Sequence, residues 1–295
     1  MHDFKILLIN TAANQIVAAL LEGFIQQRML PSSSVLALLP VGPCRYFGPT
    51  TCFFAYNLSN VANMNVAIGI FHSMYFRYRL IGTEALTRTR VKLNLLITTI
   101  LPIILAITPY IAPLRFDTVM EVAIREHPDH NLEEYGPFGG FSSTSDPVFV
   151  INSLILYAVP FFLPIVIMYW KHLILKAFNS HGGGFTDKTR SSSRLLLKAL
   201  TVQALMPLVC IVPIGLLYFV VQFTGQELVA LEYLFAVFVT LPFIIDPICT
   251  IYFVVPYRKW IIEQCRGHIR SAWIDHNVAA DAPISLTVAR VTDVG

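Results

Sequence analysis

Apolar residues along this chain come in long, nearly unbroken runs, not in the alternating or one-face patterns of elements that border water. Six runs reach the length of about 20 residues that a helix needs to cross the hydrocarbon core of a bilayer. They lie at about 4–25, 49–71, 93–114, 147–170, 195–222 and 228–255. Together they predict an all-α fold, a polytopic membrane bundle of six transmembrane helices over residues 1–257, followed by a tail over 258–295. The first run is the weakest, interrupted by Lys5, Asn10, Asn14 and Glu22. Pro102, Pro109, Pro160, Pro164, Pro207, Pro213, Pro242 and Pro247 fall inside the runs. Such prolines break helices in water but persist in membrane bundles, where neighbours satisfy the freed backbone groups.

Composition sharpens this picture. Hydrophobic residues make up 55% of the 295 and charged residues only 13%, with a mean hydropathy of +0.63. Soluble domains carry roughly 25% charged residues, so the lipid bilayer is the partner this composition requires. The five cysteines, Cys44, Cys52, Cys210, Cys249 and Cys265, show neither metal-ligand spacing nor a dense disulfide framework. No HExxH, nucleophile elbow or glycine-rich phosphate loop is present. The expectation is a protein that is not an enzyme, with no cofactor, no metal and no nucleic-acid partner. His127-Pro-Asp-His130 has ligand chemistry but no rigid spacing, and reads as a solvated loop.

Charge sets the direction of the helices. Arg77, Arg79, Arg88, Arg90 and Lys92 surround the second connection, opposed only by Glu84. Lys171, Lys176, Lys188, Arg190, Arg194 and Lys198 surround the fourth, and Arg258, Lys259, Arg266 and Arg270 follow the last helix. The segment from Arg115 to Asp146 holds seven acids against two arginines. Basic loops stay in the cytosol, which puts the C-terminus inside and, with six helices, the N-terminus inside too. An even count with both ends inside fits either a six-helix protein or a seven-helix one without its first helix, and the second is the expectation for this sequence.

Several residues carry chemistry. Arg77 and Tyr78 end the second run in Phe71-His-Ser-Met-Tyr-Phe-Arg-Tyr-Arg79. Arg77 there suits either a headgroup anchor or a contact to a partner protein. Asp246-Pro247 lies deep in the last run, where an acid is expensive and rarely faces lipid. Beyond Pro256, the amphipathic stretch around Trp260 and Ile261 suits the membrane surface, with Cys265 as a palmitoylation candidate. Asn57, Asn60 and Asn63 fall within about 120° of one helix face, which suits interhelical hydrogen bonds or a polar ligand. By outward position, Asn57, Asn60, Asn152, Tyr157, Tyr218, Gln222 and Tyr233 are the candidate ligand-pocket residues.

Gly42-Pro-Cys-Arg-Tyr-Phe-Gly-Pro49, Cys52, the Tyr75-Phe-Arg-Tyr78 ending, Leu241-Pro-x-x-x-Asp-Pro247 and Pro256-Tyr-Arg258 resemble the nematode serpentine chemoreceptors, closest to class delta. The resemblance covers nearly the whole chain. It implies a seven-helix architecture, a small-molecule environmental ligand and signalling through a heterotrimeric G protein. It puts Arg77 and Tyr78 at the coupling position and Asp246-Pro247 at a switch near the inner end of the last helix. Two departures from rhodopsin-like receptors stand out. Tyr252 comes five residues after Pro247 where the related element has a tyrosine at three. Cys44 has no cysteine to meet between residues 115 and 146, so that outer loop must be held some other way, or not held. The competing class is a small multi-pass transporter or channel subunit, which calls for paired mid-membrane acids and internal repeats.

Overall fold

The computed structural model describes residues 2–32, 34–81, 87–111, 113–180, 187–224, 229–253 and 258–264. Six long helices form the bundle: α1 (His2–Ile25), α2 (Pro49–Ile81), α3 (Arg88–Ile107), α5 (Pro147–Ser180), α6 (Asp187–Thr224) and α7 (Val229–Phe253). A short amphipathic helix, α4 (Phe116–Glu126), lies between α3 and α5. Seven of the eight run-internal prolines sit within continuous helix. The eighth, Pro109, falls in the 3-10 turn Thr108–Tyr110, so α3 stops at Ile107 and not near residue 114. In the other direction α2, α5 and α6 run past their apolar stretches into charged sequence.

By length and apolarity α1, α3, α5, α6 and α7 each qualify to cross a membrane, α1 being the least apolar of them and α6 the most. The weakest of the long helices is therefore α2, not the expected α1. Its position explains this. α2 packs against α1, α3, α5 and α6, so little of it needs to meet lipid. Its polar side chains find partners on those neighbours: Ser59 Oγ donates to Glu22 Oε1 (2.6 Å), Asn57 Nδ2 to the Tyr110 hydroxyl (3.3 Å), and His72 Nε2 meets Thr98 Oγ1 (3.1 Å). Each is worth roughly 0.6 kcal/mol in a bilayer, and together they fix which face of α2 meets which neighbour.

One end of the bundle carries a feature the apolar runs did not announce, a three-stranded antiparallel sheet. β1 (Gln27–Pro31) and β2 (Leu36–Pro40) form a hairpin between α1 and α2, and β3 (Gly139–Phe141) joins β2 from the long loop before α5. Side chains alternate between the two faces. Met29, Leu36 and Leu38 turn into the bundle with Phe53, Tyr218 and Phe235, while Leu30, Ala37 and Leu39 pack under Val119, Ala123 and Phe138. Gly140 permits the β2–β3 approach. Its φ is +151°, and a β-carbon there would overlap the Leu36 carbonyl oxygen.

The sheet answers how the acidic loop is held without a cysteine. It is paired into β2, and Thr144 N adds a hydrogen bond to Ser34 O (2.9 Å). Cys44 meanwhile bridges locally to Cys52, across the turn that opens α2. Closing so short a loop removes only about 2.5 kcal/mol of unfolded-state entropy in the chain-entropy account. Cys44→Ser should therefore lower thermal stability modestly while leaving the sheet paired. Loss of the whole cap on reducing this bridge would contradict that.

Candidate functional site

Under the sheet, the bundle holds a partly open cavity of about 440 Å³. Its roof is Gln27, Met29, Leu36 and Phe141 from the strands, and its walls come above all from α2 and α5. The mixture of apolar walls with a few convergent polar groups is that of a small-molecule pocket. Of the residues singled out by sequence, Asn57, Asn60, Asn63, Asn152, Tyr157 and Tyr218 all line it. Asn152 is buried and tied to Thr108 across α5 and the end of α3 (Nδ2 to Oγ1, 2.8 Å). Tyr157 sets its ring edge against Phe219 at 5.2 Å, and Tyr218 packs near Phe235 at 6.0 Å.

Tyr233 is not in the cavity. It is 51% exposed on the outside of α7, where its ring lies 4.8 Å from the Arg28 guanidinium. The physical reason is helix phase: Phe235, two residues on, occupies the inward face. The side chain of Gln222 lies outside the described residues, as does Cys265.

Two acids line the cavity that outward position did not select. Glu22, whose charge weakens the first apolar run, faces inward and accepts from Ser59. Asp246 is 3% exposed at the deeper end, where Gln15 Nε2 of α1 donates to its Oδ2 (3.0 Å) and ties α1 to α7. One turn on, Thr250 Oγ1 accepts from Gln203 Nε2 of α6 (2.9 Å). The polar groups of α7 thus link it to both flanking helices, and α7 continues unbroken through Pro247.

At the end opposite the sheet, α2 carries Arg77 half-buried, four residues before its terminus. Tyr78 and Tyr75 set their ring edges against Trp170 of α5 at 4.6 and 5.5 Å. Residues 258–264 form a further helical turn with Trp260 and Ile262 exposed.

At the sheet end, a buried ion pair pins the cap to the bundle. Arg28 Nε of β1 donates to Glu232 Oε2 of α7 at 2.6 Å, and both are about 5% exposed or less. Arg28 also donates to the Tyr135 hydroxyl (2.9 Å), and His130 Nε2 stands 3.7 Å from the other Glu232 oxygen. Burial pulls the Arg28 pKa down, but Glu232 and Tyr135 outweigh it and raise the value above that of a free guanidinium.

Comparison with known proteins agrees with this architecture. The chain is similar to serpentine receptor class delta-59 of Caenorhabditis elegans, 32% identical over 265 residues, covering 89% of this chain and 81% of that receptor. It is 30% identical to class delta-63 over 258 residues, with 86% and 80% covered, and 27% identical to class delta-51 over 265 residues, with 90% and 78% covered, both from the same nematode. No solved structure matches the chain. The model of the serpentine type 7TM GPCR chemoreceptor Srd matches residues 1–263, a receptor family and not an enzyme family, and the chain belongs to that family.

Proposed function

We propose that this multi-pass membrane protein is a chemosensory receptor that binds a small environmental chemical in the capped cavity and signals to a heterotrimeric G protein at the opposite end. One observation carries the reading: α2 and α5 line the cavity, and the same two helices meet at Tyr75, Tyr78 and Trp170 beside Arg77. A ligand that favours one packing of α2 against α5 shifts the population of arrangements around Arg77. Asp246-Pro247 supports a switch role, since Gln15 couples it to α1 from the cavity floor. The location that fits is the plasma membrane, in a sensory cilium, with the C-terminus cytoplasmic as the basic segments require. The 258–264 turn then lies on the inner leaflet through Trp260 and Ile262, with Cys265 as its lipid attachment point.

The test is expression with a C-terminal tag and a G-protein activation readout, against fractionated environmental chemicals. The tag is expected to be reached only after permeabilisation. Arg77→Ala is expected to abolish G-protein activation while ligand-induced thermal stabilisation of the purified receptor persists. Undiminished activation in that variant would remove Arg77 from the coupling site.

A further inference from the structure

The cavity has an unbalanced charge inventory. Among the described residues that line it are two acids, Glu22 and Asp246, and no lysine, arginine or histidine. Carboxylates in a low-dielectric bundle are costly without a counter-charge, and such groups pair or mark the path of a cation. Asp246 is nearly fully buried, and while its Oδ2 accepts from Gln15, its Oδ1 has no hydrogen-bond partner among the described residues.

Around Glu22 the walls are aromatic. Ser59, which holds Glu22 at 2.6 Å, is one helical turn from Tyr56 on α2. Tyr56 packs into the same apolar cluster as Tyr218 of α6, and Tyr157 of α5 lines the cavity beside them. Three tyrosine rings and one carboxylate, contributed by four different helices, line the same cavity. Ring faces are negative and attract ammonium groups, most strongly where water is excluded.

We propose that this cavity selects a small organic cation, with its ammonium head against Glu22 and among the rings of Tyr56, Tyr157 and Tyr218. The proposal rests on the reading of the cavity as the ligand site. It deepens that reading by naming the ligand's charge and the residue that reads it. Glu22 serves twice: Oε1 keeps the Ser59 hydrogen bond, and the carboxylate supplies the counter-charge. Asp246 adds to the negative field from the cavity floor.

The experiment uses the whole receptor in lipid nanodiscs at constant sodium, so that an inorganic cation contributes equally throughout. Thermal stabilisation is titrated with two matched pairs, choline against 3,3-dimethylbutan-1-ol and 2-phenylethylamine against 2-phenylethanol. The charged member of a pair is expected to bind at least about tenfold more tightly than its neutral partner. Glu22→Gln, which keeps an acceptor for Ser59, is expected to erase that preference, and Glu22→Asp to retain part of it. Equal binding of charged and neutral members overturns the proposal while leaving the cavity reading intact. So does a preference that survives Glu22→Gln. If no probe of either kind stabilises the receptor, and filling the cavity leaves chemical responses unchanged, the cavity reading fails and this proposal falls with it.

Discussion

Glu232→Gln is expected to cost the sheet-capped end about 3–5 kcal/mol, the penalty for stranding one charge of a buried pair. Arg28 is left facing an amide at the site where it met a carboxylate oxygen at 2.6 Å, with both side chains about 95% withdrawn from solvent. The Tyr135 hydroxyl cannot balance that charge, and the guanidinium must recruit water or pull β1 away from α7. Because β1 is the edge through which the sheet contacts α7, the readout is local. Protease cleavage within the 27–40 hairpin rises, and the melting temperature of the detergent-purified receptor falls. The double variant Arg28→Met with Glu232→Leu removes both charges and is expected to be far milder, since apolar replacement of a buried pair is often neutral or stabilising. Equal damage from the single and double variants would show that packing at these positions matters and the pairing does not.

This pair also shows what the sequence could not disclose. Long apolar runs declare helices locally, because a bilayer needs about 20 such residues in a row, and that is why α1, α3, α5, α6 and α7 were legible, whereas α2 was read from a run that falls short of their apolarity. The cap is built from strands of three to five residues, too short to declare an element, and its third strand arrives from about a hundred positions away. Arg28 and Glu232 are separated by 204 residues, so nothing local to either one links them. The same applies to Glu22. Along the sequence it is a blemish in an apolar run, and only the packing of α1 on α2 turns it toward Ser59 and the cavity. Where helix phase agrees with outward position, as at Asn57, Asn60, Asn152, Tyr157 and Tyr218, the residue lines the cavity, whereas Tyr233 has the same depth and lies on the outer face. The polar content of α2 was the clearest buried signal. Asparagines at 57, 60 and 63 marked one face of α2 for interhelical hydrogen bonds or a polar ligand, and they fall on the wall of the cavity.

Gly215→Leu is expected to reduce the chemical response by about 100-fold or more while the receptor still reaches the cell surface, a loss of roughly 3 kcal/mol in ligand binding. Gly215 lies on α6 directly behind the Tyr157 ring, and a β-carbon there would overlap the ring's Cε1 edge. What it meets is the far end of a side chain, not backbone, so the ring gives way and the helices need not part. The open space beside Tyr157 is the cavity it lines. A larger side chain at 215 therefore drives the tyrosine into the volume a ligand would fill. Overpacking of this kind typically costs about 1–3 kcal/mol, and an incoming ligand would have to pay it again by pushing the ring back. Gly215→Ala displaces the ring less and should give an intermediate loss, so the two variants form a graded series. A dose–response curve unmoved in both, with surface expression equal by tag labelling, would mean that no ligand sits beside Tyr157. Loss of surface expression in the leucine variant alone would leave the alanine variant to decide, because a single methyl group against a movable ring does not threaten the fold.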